Sequence, residues 1–499
     1  MTIEHFDVLI VGAGISGIGA AYHLGANCPT KSYAILEGRE AMGGTWDLFR
    51  YPGIRSDSDM YTLGYSFKPW TKAKAIADGP AILDYLHETA QENNIERHIR
   101  YRHMVKSAAW STENAAWTVN VEIGTEGEVK QYSCNFLFMC SGYYSYKGGY
   151  TPDFPGADKF QGRIVHPQKW TSDIDYKNKR VIVIGSGATA VTLVPEMAKE
   201  AAHVTMLQRS PTYVVSRPAE DELANKLRRW LPAKLAYGLT RWKNVLFGMY
   251  FFRICRTKPE QAKNYILDMV REHLGKDMVE KHFTPSYNPW DQRLCLVPNG
   301  DLFDAIKSDK ADVVTDHIDT FTEKGILLKS GKELEADLIV TATGLKLEVL
   351  AGIDVSVDGK PVDFSKTFNY KGMMYSEVPN LASSFGYTNA SWTLKCDLTC
   401  GYVCRLLNHM DKTGNRQCTP HLTDNTVEPE PWLDFSSGYV QRAMEFFPKQ
   451  GSKAPWKLHQ NYALDILTLK LGKIEDGAMV FSNKASSKKA EAPTKKEAA

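Results

Sequence analysis

The chain has 499 residues, 43% of them hydrophobic and 24% charged, a composition typical of a folded protein with roughly two to four domains. Its net charge of +2 gives no electrostatic reason to expect a nucleic-acid partner. The opening stretch, "MTIEHFDVLIVGAG", is typical of a first strand rather than of a secretory signal, and the nine cysteines are scattered. We therefore predict a cytoplasmic protein.

The first strand–turn–helix pattern is "FDVLIVGAGISGIGAAYHL", in which Gly12, Gly14 and Gly17 form G-x-G-x-x-G. The first glycine permits a tight turn, the second lets a pyrophosphate approach the backbone, and the third allows close helix packing. Ser16 lies in the first turn of the helix, where free N–H groups and the helix dipole attract phosphate. This turn predicts a dinucleotide site.

Glu37 ends the next strand, "SYAILEG", about 20 residues after Gly17, where a carboxylate binds ribose hydroxyls. The position at the start of the chain, together with a second such motif downstream, favours FAD as the dinucleotide.

The second pattern is "RVIVIGSGATAVTLVPEMA", and its turn and helix start comprise Gly185, Ser186, Gly187, Ala188, Thr189 and Ala190. The strand that follows ends in Gln208 and Arg209, so an arginine stands where the first unit has its carboxylate. A guanidinium binds a 2′-phosphate that a carboxylate would repel, which favours NADPH over NADH. The alternative is a surface arginine without a ligand.

Two dinucleotide sites in one chain imply electron transfer from NADPH to a flavin. The predicted fold class is α/β, with two Rossmann-like domains and a helical insertion. The predicted boundaries are an FAD domain in two parts (1–150 and 345–480), an NADPH domain in two parts (151–219, with a linker at 151–178, and 290–344), a helical insertion (220–289) and a disordered tail (481–499) rich in Lys, Ala and Ser.

The insertion contains "ELANKLRRWLPAKLAYGLTRWKNVLFGMYFFRICR", which is helix-periodic, basic and aromatic. Three interpretations stay open: contact with a membrane surface, a substrate-cavity lining, or a helix pair facing the core. Cys396, Cys400 and Cys404 recur every fourth residue, which indicates either a metal or redox face or small apolar side chains on a buried helix. No CxxC or nearby histidine completes a ligand set, so no metal site is predicted.

Two further stretches carry a family resemblance. "GGTWDLFRYPGIRSD" (43–57) and "FQGRIVHPQKW" (160–170) resemble signatures of class B flavin monooxygenases of the Baeyer–Villiger type. In the second stretch Phe160, Gly162, His166 and Trp170 match the family fingerprint, whereas Thr171 departs from it. "YNPWDQRLCLVPNGDLF" and "GYTNASWTLK" extend the resemblance and are most similar to the ethionamide-activating members.

The resemblance implies FAD, NADPH and O2 as reactants, and oxygen insertion into ketones through a C4a-peroxyflavin to give esters or lactones. It also implies oxygenation of sulfides or thioamides. Arg293 would supply the fixed positive charge that such chemistry needs, and Asp57 would orient it. The remaining family positions are Thr45, Trp46 and Asp47 along the flavin, Arg55 and Ser56 between flavin and nicotinamide, Val105 beside the adenine, and Trp392 at the border of the flavin or the substrate.

In the fingerprint, we expect Phe160 and Trp170 to anchor the linker by burial and Gly162 to give it freedom. His166 is either a hydrogen-bonding residue that couples domain position to NADP or a catalytic acid or base, and we favour the first role. Three other functions stay open: a flavin N/S-oxygenase with little ketone activity, a pyridine-nucleotide disulfide reductase, and an FAD-binding module without activity. The sequence predicts no oligomeric state.

Overall fold

The computed structural model of the chain describes residues 3–125, 127–292, 294–433 and 435–484. Two sheets with parallel centres carry the fold, and each contains the strand of one of the two Gly-rich patterns. In β1, Val8, Leu9 and Ile10 are fully buried, which is the continuous apolar run expected of a parallel strand covered on both faces.

The larger sheet has the strand order β18-β17-β4-β5-β6-β1-β2-β3, and β21 also pairs with β6. Its strands are β1 (Glu4–Val11), β2 (Tyr33–Leu36), β3 (Ile99–Arg100), β4 (His103–Ser111), β5 (Ala116–Ile123), β6 (Glu128–Met139), β17 (Asp354–Val357), β18 (Lys360–Pro361) and β21 (Leu381–Ser383). The chain thus leaves this sheet after β6 and returns to it at β17.

The second sheet has the order β12-β9-β8-β16-β7, and its strands are β7 (Arg163–Val165), β8 (Arg180–Ile184), β9 (His203–Gln208), β12 (Ala311–Thr315) and β16 (Leu338–Thr341). Smaller pairings involve β10 (Val214–Arg217) with β11 (Cys295–Pro298), β13 (Ile318–Phe321) with β14 (Gly325–Leu328) and β15 (Glu333–Glu335), β19 (Asn369–Tyr370) with β20 (Met374–Tyr375), β22 (Asn415–Pro420) with β25 (Met479–Lys484), and β23 (Pro429–Pro431) with β24 (Lys449–Gly451).

The α-helices are α1 (Ile15–Asn27), α2 (Thr45–Leu48), α3 (Met60–Leu63), α4 (Gly79–Glu92), α5 (Ala188–Met197), α6 (Glu222–Trp230), α7 (Ala233–Thr257), α8 (Pro259–Leu274), α9 (Lys276–His282), α10 (Asp301–Lys307), α11 (Trp392–Thr413), α12 (Gly438–Gln441) and α13 (Tyr462–Asp465). A π-helix, Ile466–Leu471, continues α13. Within the described ranges, none of the helices is long and apolar enough to cross a membrane.

Two predicted boundaries are corrected. The segment 151–178 is more than a linker, because β7 within it forms the edge of the second sheet beside β16. The last strand, β25, runs four residues past the predicted start of the tail and pairs with β22. The rest of the predicted tail, 485–499, lies outside the described residues.

The predicted insertion is helical and contributes α6 to α9. Helix α7 buries Ala236, Tyr237 and Val245, and its buried Arg241 donates to the carbonyls of Tyr61 at 2.9 Å and Gly64 at 2.8 Å. The opposite side of α7 exposes large apolar residues, among them Leu239, Trp242 and Leu246. The interpretation as a core-facing helix pair therefore describes only one side of α7.

Two chain segments connect the sheets, and we call them the first crossing (143–150) and the second crossing (344–348). They lie side by side, because the Tyr150 N–H donates to the Gly344 carbonyl at 3.0 Å and the Ser145 N–H donates to the Lys346 carbonyl at 2.9 Å. Paired backbone groups satisfy each other and hold both connections in one position.

The turn between β1 and α1 depends on Gly17. A Cβ on Gly17 would lie 1.9 Å from the Gly12 carbonyl oxygen, whereas one on Gly25 of the same helix would meet open space. We expect Gly17→Ala to lower the free energy of unfolding by about 1–3 kcal/mol through overpacking. Gly25→Ala should be neutral or stabilise by up to about 1 kcal/mol, because alanine favours the helix.

Chemical denaturation of both variants checks this. Equal unfolding free energies for Gly17→Ala and Gly25→Ala would contradict the close approach of α1 to the turn.

Candidate active site

The first Gly turn is closed by backbone contacts that exclude side chains. Gly12 has φ +101°, and a Cβ there would lie 2.7 Å from the Cys140 carbonyl oxygen at the end of β6. A Cβ on Gly14 would lie 3.4 Å from Cα of Gly44, and the Gly43 N–H donates to the Ala13 carbonyl at 2.9 Å. The "GG" of the first signature stretch is therefore packed directly on the dinucleotide turn.

Glu37 lies at the end of β2 and is buried at 1% exposure. Its two carboxylate oxygens accept the Ala13 N–H at 2.8 Å and the Arg39 N–H at 2.9 Å. Burial raises the pKa of Glu37, while these two hydrogen bonds lower it. Each carboxylate oxygen accepts more than one hydrogen bond, so the group keeps acceptor capacity for a ribose hydroxyl.

Ser16 is in the first turn of α1, but its hydroxyl is already engaged. It accepts the Trp392 Nε1–H at 2.8 Å and lies 3.3 Å from Sγ of Cys396. What Ser16 offers to a phosphate is therefore its backbone N–H at the start of α1, where no intrahelical partner exists.

The residues Thr45, Trp46 and Asp47 form the start of α2. Thr45 is exposed, Trp46 is partly buried, and the Asp47 carboxylate is buried and forms ion pairs with Arg39, at 2.6 Å, and Arg50. The paired Asp47 side chain fixes this short helix beside the first turn.

The next residues of the signature reach toward the second sheet unit. Arg55 binds both carboxylate oxygens of Asp301, at 2.5 and 3.3 Å, and Asp301 begins α10. Ser56 is buried, and its hydroxyl donates to the Ser58 carbonyl at 2.7 Å. Asp57 is exposed and lines the same cavity wall.

The second Gly turn has the same construction. Gly185 has φ +133°, and a Cβ there would lie 2.4 Å from the Ala342 carbonyl oxygen at the end of β16. Ala190 is fully buried at the third position, while Gly187 and Ala188 are exposed at the start of α5. The turn thus presents backbone N–H groups to solvent, as a phosphate site requires.

The two predicted cofactor residues at the end of β9, Gln208 and Arg209, differ in their surroundings. Gln208 is buried, and its amide nitrogen donates to the His282 carbonyl at 2.7 Å and to the Thr315 hydroxyl at 2.9 Å. The expectation that Gln208 contacts the cofactor is corrected, because this side chain braces β9 against β12. Arg209 is exposed, and it forms no ion pair with any residue in the described part of the chain.

One cavity of about 270 Å³ is lined by the first Gly turn and by the start of α5, which directly follows the second Gly turn. Residues that the sequence predicted at both sites contribute to its lining: Gly12, Gly14, Ser16, Thr45, Trp46, Arg55, Ser56, Asp57, Ala188 and Thr189. Tyr51 bridges the two sides through a hydrogen bond with Thr189 of α5. Burial raises the pKa of Tyr51, this hydrogen bond opposes the rise, and the resulting pKa is about 12. The structure therefore brings the first predicted dinucleotide turn and the helix that follows the second to a single cavity.

Aromatic residues form another part of the cavity wall, and one of them, Trp392, is the residue that donates to Ser16 beside the first Gly turn. The rings of Tyr143 and Trp392 stack with centroids 5.2 Å apart, and both line the cavity together with Tyr387. The Tyr387 hydroxyl donates to Asp465 at 2.6 Å, and the Lys395 ammonium binds the same carboxylate oxygen at 2.7 Å. Burial lowers the pKa of Lys395, and Asp465 opposes that shift.

Sequence reasoning missed Tyr143, Tyr387, Lys395 and Asp465. Their positions depend on where α11 and α13 pack, which no local pattern specifies. Trp392, at the start of α11, is at the cavity as predicted.

Val105 is a buried residue of β4, paired with Val121 of β5. It is two residues from His103, whose N–H donates to the Glu37 carbonyl at 2.8 Å. Its contact with an adenine remains a prediction.

The fingerprint stretch is held at both ends by burial, as predicted: Phe160 is 8% exposed and Trp170 is 9% exposed. The expected role of Gly162 is corrected. A Cβ there would lie 2.5 Å from the Phe160 ring and 2.6 Å from the Asp337 carbonyl oxygen, so Gly162 is required for close packing rather than for freedom.

His166 uses both ring nitrogens. Nε2 lies 3.0 Å from the Gly344 carbonyl oxygen and donates to it, and Nδ1 accepts the Gln168 N–H at 3.1 Å. One donor and one acceptor describe a neutral ring in a fixed tautomer. Its Cε1 would lie 1.9 Å from a Cβ on Gly149, so the ring lies against the first crossing and hydrogen-bonds to the second. This geometry favours the hydrogen-bonding role.

Arg293, the predicted catalytic arginine, lies outside the described residues. Leu296, three positions later in the sequence, lines the cavity. Cys396, Cys400 and Cys404 are buried on α11, and the last two belong to the hydrophobic core.

Two Rossmann-type units that face one cavity define an α/β protein of the two-dinucleotide class. The family model described as "Flavin-binding monooxygenase-like" matches residues 75–374, and one described as "NAD(P)-binding Rossmann-like domain" matches residues 10–77. The chain belongs to the flavin-binding monooxygenase-like family. This confirms the predicted flavin monooxygenase.

Relatives match along almost the full chain. The chain is 55% identical over 484 residues to "FAD-containing monooxygenase EthA" of Mycobacterium tuberculosis, which covers 96% of this chain and 98% of that one. It is 49% identical to "Putative FAD-containing monooxygenase MymA" of the same organism, with the same coverage, and 48% identical to "Probable FAD-binding monooxygenase AlmA" of Acinetobacter baylyi, covering 96% and 97%. The resemblance noted in the signature stretches is thereby confirmed.

Solved structures agree on the fold. An oxidized steroid monooxygenase bound to NADP superposes with a TM-score of 0.76 at 22% identity, covering 96% of this chain and 99% of that one. A closed cyclohexanone monooxygenase superposes with a TM-score of 0.74 at 20% identity, covering 97% and 100%. The predicted α/β fold is confirmed.

Burial lowers the pKa of His166, with a smaller lowering by Lys169, so the folded state binds fewer protons there than the unfolded chain does. Stability from this residue is present above the unfolded pKa of about 6.5 and is lost as the pH falls below it. We expect His166→Gln to lose about 1 kcal/mol at pH 7.5 and to show a flatter fall in unfolding free energy below about pH 6.5.

Denaturant titrations at several pH values measure this, with His87→Gln, an exposed histidine on α4, as the control. A wild-type pH slope in His166→Gln would contradict the neutral, hydrogen-bonded ring.

Proposed function

We propose that the protein is an FAD-containing, NADPH-dependent Baeyer–Villiger monooxygenase that inserts oxygen into apolar ketones and also oxygenates sulfides or thioamides. The observation that supports this most is the single cavity that the first Gly turn and the start of α5, after the second Gly turn, line together with aromatic residues. When bound, reduced FAD activates O2 for transfer of one oxygen atom to the substrate, and NADPH supplies the electrons.

The first turn fits FAD. Gly12, Gly14 and Gly44 leave a cradle that any Cβ would fill, and the pyrophosphate would bind N–H groups of Ser16 and Gly17 at the start of α1. Glu37, held in position by two backbone N–H donors, would accept a ribose hydroxyl. The backbone of 45–47 would follow the flavin, and Val105 would touch the adenine.

The second turn fits NADPH. Gly187 and Ala188 are exposed at the start of α5, and Arg209 is an exposed cation directly after β9. Its charge is available to a 2′-phosphate, because no described carboxylate lies within ion-pair distance. Arg55 and its partner Asp301 join the two units where the nicotinamide would approach the flavin.

The substrate would lie against Tyr143, Tyr387 and Trp392, which present an apolar wall. Oxygen insertion into a ketone develops negative charge on the carbonyl oxygen, and a site shielded from water needs a permanent cation there. We assign this role to Arg293, since arginine stays charged in such a site, and we assign its orientation to Asp57. Both assignments are taken from the family pattern.

A second candidate function is oxygenation of nitrogen or sulfur with little ketone activity. Transfer of an electrophilic oxygen to a thioether develops no comparable negative charge, so this reaction does not need the cation. An N/S-oxygenase with little ketone activity would then use the same cavity. The relative importance of Arg293 for the two substrate types separates the candidates.

Product analysis with 2-octanone and a thioether tests this. We expect ester from the ketone with NADPH consumption coupled to product, and sulfoxide from the thioether. Arg293→Ala should lower ketone turnover at least about a hundredfold, the usual effect of removing one electrostatic stabiliser. Sulfoxide without ester from the wild type would favour the N/S-oxygenase, and full ester formation in Arg293→Ala would refute the role of this residue.

The assignment of Arg209 is tested by cofactor preference. Loss of a charge-assisted contact of about 1.5–3 kcal/mol should raise KM for NADPH roughly 10- to 100-fold in Arg209→Gln. KM for NADH, which lacks the 2′-phosphate, should stay constant and serves as the internal control. An equal rise for both nucleotides would mean that Arg209 supports the fold rather than the phosphate.

A further inference from the structure

We propose that the outer side of α6 and α7, together with segment 462–471, is a docking surface for an anionic lipid bilayer. We call it the α7 face. It requires neither bound cofactor nor turnover, so it stands apart from the proposed function.

The α7 face has a continuous apolar stripe. Leu235, Leu239, Trp242, Leu246 and Tyr250 are spaced three or four residues apart on α7 and are 46–64% exposed. This spacing places them on one side of a helix, opposite the buried Tyr237 and Arg241. A helix that packs on the protein along one side can lie in the plane of a bilayer surface with its other side inserted.

A second stripe extends the first. Leu464, Leu467 and Leu471 are 43%, 57% and 68% exposed. The ring of Trp242 lies 5.8 Å from that of Tyr462, which places this segment next to α7. Isolated exposed apolar residues are common on proteins, whereas a contiguous patch rimmed by charge marks a binding surface.

The charged residues in this part of the chain are almost all basic. Residues 222–258 contain nine Lys or Arg and a single acidic residue, Glu222, although the whole chain carries only +2. Lys226, Arg229, Lys234 and Arg253 are exposed and form no ion pair with any residue of the described ranges. Cations beside exposed Leu and Trp fit an anionic lipid headgroup layer above the acyl chains.

A second copy of the chain is a poorer occupant. An isologous dimer through this face would bring two such basic segments together, which costs electrostatic energy that nothing in the segment compensates. The bilayer instead supplies both complements at once: negative charge at the surface and hydrocarbon below it.

The inner side of the same elements touches the cavity wall. Val245 of α7 packs with Tyr387, and Asp465 of α13 holds the Tyr387 hydroxyl. Helices α7 and α13 therefore separate the α7 face from the aromatic wall of the cavity.

The test is co-sedimentation of the full-length holoenzyme with vesicles of phosphatidylcholine, with and without phosphatidylglycerol. We expect binding that requires phosphatidylglycerol and weakens with added salt. Leu239→Ser/Trp242→Ser/Leu246→Ser should weaken it at least about tenfold, and Lys226→Glu/Arg229→Glu/Lys234→Glu should abolish the phosphatidylglycerol dependence. Val129→Ser, an equally exposed apolar residue on β6, is the matched control and should bind as the wild type does.

Thermal unfolding and NADPH oxidation with a water-soluble ketone should be unchanged in the variants, which separates docking from folding. Wild-type protein that stays in the supernatant with phosphatidylglycerol vesicles would overturn the proposal. So would a wild-type dimer in sedimentation velocity that the serine variant dissociates, because the face would then bind a second copy.

Discussion

The Gly344 carbonyl is the point on which the arrangement of the two sheets depends. It accepts the Tyr150 N–H of the first crossing and the His166 Nε2–H of the fingerprint stretch. Each sheet packs on its own core clusters, and the cavity lies where their carboxyl ends face each other. The paired crossings fix that relation, and the fingerprint stretch fastens them together, since Gln168 also donates to the Ser145 carbonyl at 2.7 Å.

The glycine turns pack against the strand ends that lead into the two crossings. The carbonyls of Cys140 and Ala342, which Gly12 and Gly185 approach, both lie just before the start of a crossing. Glycine is needed at these two turns because backbone meets backbone there, and the result is a pair of N–H-rich helix starts at one cavity. A sheet displaced by a few ångströms would open the space between Tyr51 and Thr189 and separate the two sites.

Much of this could be predicted from sequence, for physical reasons. The roles of Gly12, Glu37 and Gly185 could be predicted from the neighbouring sequence, since a strand, a turn and a helix start are contiguous in the chain. Gln208 and Gly162 were misassigned because their roles are tertiary: one braces two strands, and the other accommodates an aromatic ring. The support of Tyr387 by Lys395 and Asp465 could not be predicted, because Asp465 comes from a segment about 70 residues further along the chain. Arg293 came from family resemblance alone.

The central claim is that both dinucleotide turns serve one cavity, so that hydride passes directly from NADPH to the flavin. Anaerobic stopped-flow bleaching of the bound FAD by NADPH deuterated at either C4 position tests it most directly. A primary isotope effect with one of the two C4 labels and not the other is the predicted result, because a single cavity presents one face of the nicotinamide. Bleaching that is insensitive to both labels would contradict the account.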